Sequence, residues 1–132
     1  MPSTILCVQE DRAVGRAFGL ALEADGHEVL YAHDGRRCLE LAERQCPDLV
    51  LLDAYLSRQD GFEILAELRE RAATKSIPVL LHCARALTPE VALRGERLGA
   101  SGLVGAGISP EDLAGKVAGL LAQRDKSETI VL

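Results

Sequence analysis

The segment Asp48–Leu52 reads DLVLL: an apolar run of four residues behind Pro47, closed by Asp53. A strand with no polar face to offer water needs cover on both sides, which is the condition of a central strand in a parallel sheet. The flanks repeat the theme. Thr4–Val8, His27–Tyr31, Pro78–Cys83 and Gly102–Val104 are four further short runs of strand character. Between them lie stretches of helical period: 11–25, with Val14, Ala17, Phe18, Ala21 and Leu22 at three-to-four spacing; 35–46, with Cys38, Leu39, Leu41 and Ala42; and Gly61–Ala73, with Phe62, Ile64, Leu65 and Leu68. Two more helices open on a hydroxyl, a proline and an acid, at Thr88-Pro89-Glu90 and Ser109-Pro110-Glu111, and run to Leu98 and Gln123. Five strands alternating with five helices over short connections predict an α/β fold: a doubly wound parallel five-stranded sheet with helices on both faces.

A chain of 132 residues with 48% apolar residues can enclose one core, so one domain is expected. Aromatics are only 3% and the net charge is −5, which argues against a base-stacking platform or a phosphate-backbone footprint and hence against nucleic acid as a partner. No apolar run approaches the length of a membrane span, and the N-terminal residues do not read as a secretory signal; a cytoplasmic protein with no membrane partner is expected. Cys7, Cys38, Cys46 and Cys83 show no CxxC spacing and read as free thiols.

Ligands of such sheets bind outside the carboxyl ends of the strands. There the sequence places Gln9-Glu10-Asp11, Asp53, Cys83-Ala84 and Gly105-Ala106-Gly107. Carboxylates converging on one edge repel unless a hard divalent cation joins them, so this pattern fits Mg²⁺-assisted phosphoryl chemistry.

With these residues in view the chain resembles the receiver domain of two-component response regulators, over about residues 3–123. The carriers are Pro47–Asp53 followed by Asp60-Gly61-Phe62-Glu63-Ile64-Leu65, supported by Asp34-Gly35, Ile77-Pro78-Val79 and Leu98-Gly99-Ala100. The resemblance implies a flavodoxin-like fold with strand order 2-1-3-4-5, a receiver-like domain at 1–124 and a tail or linker start at 125–132. It implies Asp53 as phosphoacceptor, a sensor histidine kinase or phosphotransferase as donor, and a downstream signalling protein as further partner. It implies Mg²⁺ held by Glu10, Asp53 and the Tyr55 backbone carbonyl, with Gln9 and Asp11 as additional candidates. A homodimer through the fourth and fifth helices belongs to the same expectation.

Several working positions depart from the family pattern. Gln9 and Glu10 stand where two acids are usual, and Glu10 is one methylene longer than Asp. Cys83 replaces the switch hydroxyl, Leu103 the switch aromatic, and Ala106-Gly107 the Lys-Pro after the fifth strand. A charge-assisted bond such as that lysine makes contributes roughly 1.5–3 kcal/mol. The expectation is therefore an atypical receiver, or pseudo-receiver, that keeps its acceptor and acts mainly through protein–protein interaction, without enzymatic activity. Its competitors are an ordinary Mg²⁺-dependent phospho-accepting regulator and a small thiol- or metal-dependent hydrolase. His82 and Cys83 should point to opposite faces of a strand and form no dyad. The glycines at 99, 102, 105 and 107 lack the ending of a nucleotide loop. Gly115 and Gly119, costly in a helix interior, predict a close-packed neighbour or a docking face.

Overall fold

The computed structural model describes residues 3–128. The elements follow one another as β1 (Thr4–Val8), α1 (Arg12–Ala24), β2 (Glu28–Ala32), α2 (Gly35–Gln45), β3 (Leu49–Asp53), α3 (Gly61–Glu70), β4 (Val79–Cys83), α4 (Pro89–Arg97), β5 (Gly102–Gly105) and α5 (Pro110–Glu128). The strands form one parallel sheet in the order β2-β1-β3-β4-β5. This is the doubly wound, flavodoxin-like architecture expected.

Every residue of β3 and β4 is buried, because the two faces of the sheet are covered by different helices. On one face Leu6, Val8, Val50, Leu52 and Leu81 pack with Cys38 and Ala42 of α2 and Phe62, Ile64, Leu65 and Leu68 of α3. On the other, Ile5, Cys7, Leu49, Leu51, Leu80 and Val104 meet Phe18 and Leu22 of α1 and Leu113, Val117 and Leu121 of α5. Each such leucine or isoleucine adds roughly 1.5–3 kcal/mol of burial. The helices start where the sequence supplies an acceptor for their free N–H groups. Asp11, Asp34, Asp60 and Thr88 cap α1 to α4, and the Ser109 hydroxyl accepts from Asp112 N–H at the start of α5.

Some boundaries differ from the sequence reading. β2 and β3 each begin one residue later, and Asp53 is the last residue of β3 itself. The helix after it ends at Glu70, not Ala73, because Arg71 turns extended (φ −91°, ψ 132°). Here the Arg69 guanidinium reaches the carbonyls of Gly99, Lys75 and Ile77 and ties the chain leading into β4 to the turn before β5. The last helix continues to Glu128, through part of the segment expected as tail; residues 129–132 of that segment lie outside the described residues.

Among the described residues the close-packed neighbour expected at Gly115 and Gly119 is not found: a Cβ at either position meets none of their atoms within 4 Å. Both glycines border a cavity of about 400 Å³ beside Gly102, Leu103 and Leu120. Gly95, by contrast, carries a packing duty, since a Cβ there comes within 2.7 Å of the Leu103 side chain.

Candidate functional site

The parallel register brings the ends of β1, β3 and β4 to one edge. Asp53 closes β3, pairs with His82 of β4, and is nearly buried. One carboxylate oxygen accepts the Tyr55 N–H at 2.9 Å, and the other accepts the Glu10 N–H at 3.3 Å. The turn behind it is tight. Gly61 N–H donates to the Ala54 carbonyl, and a Cβ at Gly61 lies only 2.2 Å from the Asp53 carbonyl oxygen, so a side chain there collides with backbone. Asp60 caps α3 through Phe62 N–H and takes an ion pair from Arg94, whose guanidinium also lies over the Phe62 ring. The position of Asp53 is thus set by a strand end, two backbone donors and a turn that admits no side chain at Gly61.

The other candidate ligands divide. Glu10 sits at the mouth, but its carboxylate accepts both the backbone N–H and the hydroxyl of Ser57. These bonds, side chain first and backbone second, hold its carboxyl below the ordinary value. Asp11 spends one carboxylate oxygen on the N–H groups of Ala13 and Val14 as the cap of α1. Gln9 turns inward: its side chain is buried, its Oε1 accepts from His82 Nδ1 at 3.1 Å, and its Nε2 has no partner among the described residues. Tyr55 lies in the loop after Asp53, its ring under the Arg85 guanidinium, beside a cavity of about 490 Å³ that Glu10, Ser57 and Asp60 also line.

A hard divalent cation asks for near-octahedral oxygen ligands. Among the described residues no three His, Cys, Asp or Glu side chains are grouped to hold a metal ion. With Glu10 bonded to Ser57, Asp11 engaged as a cap and Gln9 facing the interior, Asp53 is left without a second carboxylate turned to a shared cation, so a fit to Mg²⁺ requires Glu10 to leave Ser57.

Cys83 is fully buried against the α2–α3 side, and burial, with Asp53 nearby, pushes its thiol above the ordinary value. His82 points the other way and meets the edge of Phe18 at 5.1 Å. Burial pushes its imidazole below the ordinary value, while Asp53 pulls it up. The two therefore do not face each other across β4. Leu103 fills the space over Gly95. Ala106 opens onto an apolar cavity of about 330 Å³ bordered by Val14, Phe18, His82 and Ile108, with neither lysine nor arginine among its lining residues.

Ser57, Arg85, Arg94 and the His82–Gln9 bond escaped the sequence reading. Their partners lie far along the chain, 73 residues away in the case of His82 and Gln9, and no local spacing announces them.

Comparison with known proteins places these features in a family. The response regulator receiver domain model matches residues 5–118. Response regulator MprA of Mycobacterium sp. (strain KMS) is 32% identical over 128 residues, which are 97% of this chain and 54% of that protein. The chain thus spans about half the length of this curated relative. Among solved structures, a putative response regulator from Chloroflexus aurantiacus J-10-fl is 28% identical, with a TM-score of 0.85 over 92% of this chain and 99% of the other. A CheY-like receiver domain protein from Methanospirillum hungatei JF-1 shares the fold with a TM-score of 0.88 at 24% identity, over 96% of this chain and 99% of that one. Among the described residues no helix is long and apolar enough to cross a membrane. With the 2-1-3-4-5 sheet and an aspartate closing its central strand, the chain belongs to the response regulator receiver domain family of two-component signalling.

Proposed function

We propose that this receiver accepts a phosphoryl group on Asp53 from a sensor histidine kinase or phosphotransferase, and that its readout through β5 is weakened, so that it acts mainly by binding a partner protein. The observation that carries the reading is the setting of Asp53: a strand-end carboxylate oriented by the N–H groups of Glu10 and Tyr55. In the transfer an Asp53 carboxylate oxygen attacks the phosphorus of a phosphohistidine. A P–O bond forms and the P–N bond breaks, and the departing imidazole nitrogen takes up a proton. The product is an acyl phosphate on Asp53.

The weakened readout is supported by the three departures described: a buried thiol at Cys83, Leu103 packed over Gly95, and Ala106 on an apolar cavity. A thiol donates only weakly, and an alanine methyl cannot pair with a phosphoryl oxygen. Mg²⁺ belongs to this reading as a weakly held ion, taken by Glu10, Asp53 and the Tyr55 carbonyl only after Glu10 leaves Ser57. The boundary at 1–124, a location in the cytoplasm, the absence of nucleic-acid contacts by this domain, and a dimer or partner contact through α4 and α5 are parts of the same proposal. Exposed Leu93 on α4 supports the contact. A second reading, an ordinary phospho-switch, draws on the intact Asp53–Asp60–Gly61 turn.

The test is incubation with acetyl phosphate and Mg²⁺, read by intact mass and by backbone amide shifts, beside Asp53→Asn. A mass gain of one phosphoryl group absent from the variant, with shifts confined to the loops around Asp53, is expected. Shifts spreading through α4, β5 and α5 favour the ordinary switch. No adduct at all overturns the acceptor assignment.

A further inference from the structure

The cavity of about 330 Å³ at the carboxyl edge of the sheet lies between α1, the end of β4 and the loop from β5 to α5. Val14 and Phe18 of α1, Ala84 after β4, and Ala106 and Ile108 after β5 wall it with hydrocarbon. His82 is the one lining side chain that carries polar atoms. It is 5% exposed, and its Nδ1 stands 3.1 Å from Gln9 Oε1. That bond places the ring proton on Nδ1 and leaves Nε2 as an acceptor. Nε2 makes no hydrogen bond among the described residues, yet it is not sealed off; the occluded, unpartnered nitrogen of this pair is Gln9 Nε2. Burial pushes the imidazole below its ordinary value, against the opposing pull of Asp53, so the ring is neutral near pH 7 and keeps its lone pair.

Water suits this space poorly. A bound water needs about two to four polar partners, and the lining side chains supply one. An apolar body with a single donor suits it better: the body displaces water from the walls, and the donor meets Nε2. We propose that this cavity is a binding site for a neutral, ring-sized molecule carrying one hydroxyl or N–H donor, held by its apolar body and by donation to His82 Nε2. The size agrees, since ligand pockets begin at about 300 Å³ and an apolar cavity of about 150 Å³ already takes benzene. An anion is not served, because neither lysine nor arginine lines the cavity and a carboxylate would face only a lone pair. The site goes beyond the reading of Asp53 and does not depend on it.

The probes are phenol and toluene, which share a shape and differ in the donor. Each is titrated into the whole chain near neutral pH and followed by backbone amide shifts. Phenol is expected to shift the Phe18, His82, Ala84 and Ile108 amides saturably in the millimolar range. It should bind about fivefold tighter than toluene, the scale of one neutral hydrogen bond. Exclusion from water alone ranks the two the other way, because toluene is the more apolar. His82→Phe should reverse the order, and Ala106→Leu, filling the cavity from its exposed rim, should weaken both probes at least tenfold. Asp53→Asn should bind phenol within twofold of wild type, which keeps this outcome apart from that of the acceptor reading.

No saturable shift, toluene binding as tightly as phenol, or full affinity in Ala106→Leu overturns the site, and a tenfold loss in Asp53→Asn overturns its independence. Should His82→Phe fail to fold, the wild-type order of the two probes and the ring tautomer carry the test. Long-range ¹⁵N spectra should show His82 protonated at Nδ1, with Nε2 moving as phenol is added. An Nε2–H tautomer, or an Nε2 that does not move, refutes the proposal.

Discussion

Ser57 donates both its backbone N–H and its hydroxyl to one carboxylate oxygen of Glu10, 47 residues earlier in the chain. The acid at the end of β1 that stands at the mouth beside Asp53 is therefore held by the loop that follows Asp53. Removing the hydroxyl should loosen this hold. Ser57→Ala is expected to tighten Mg²⁺ binding by about threefold, the scale of one modest hydrogen bond. Titration of the Glu10 and Tyr55 amides by NMR measures it; weaker binding in the variant contradicts the latch.

The same contact gives a pH dependence with a defined sign. Ser57 holds the Glu10 carboxyl below its ordinary value of 4.5 in the folded state. The resulting stabilisation is present above the unfolded-state value and fades as pH falls through the lowered folded value. Melting temperatures between about pH 6 and pH 3 should therefore fall more steeply for wild type than for Ser57→Ala. Parallel curves count against the bond.

The glycines should respond in opposite directions. Gly61→Ala drives a methyl into the Asp53 carbonyl and should cost about 3 kcal/mol. Gly119→Ala meets open space inside α5 and should stabilise by about 0.5–1 kcal/mol, through helix propensity and a less free unfolded chain. Urea denaturation distinguishes the two, and a destabilised Gly119→Ala would point to a conformational demand on that turn.

Thiol reactivity should be confined to one position. Burial pushes Cys7 and Cys38 up to about 12, Cys83 is raised as well, and Cys46 is exposed. A disulfide reagent at pH 8 should label one thiol per native chain promptly and all four after unfolding. Prompt labelling of Cys83 would revive the thiol-enzyme reading.

The parts legible in the sequence are those whose physics is local or compositional. Leu49–Leu52 announces a central strand because burial on both faces removes every polar residue, and Asp53 is found by its place directly after that run. Thr88 and Ser109 mark helix starts by their own side-chain oxygens. The end of α3 was not legible, because Arg71 turns extended where Arg69 binds the carbonyls of Gly99 and Ile77, a tertiary tie. Nor was the inward turn of Gln9. An amide beside two acids reads as a weakened cation ligand until the fold sets His82 next to it. Gly115 and Gly119 misled for a related reason: helix propensity flags their cost but is silent about what stands opposite.

The pairing of Arg124 with Asp48 has a mechanical consequence. The guanidinium holds both the carboxylate and the backbone carbonyl of Asp48, each at 3.1 Å, while the other carboxylate oxygen of Asp48 accepts the Thr4 N–H. The late turns of α5 are thereby fastened at the start of the central strand, with Asp53 at its other end about 17 Å away. A displacement of α5 along its own axis would have to stretch or break these bonds to Asp48, so the pairing resists sliding of the helix at that end.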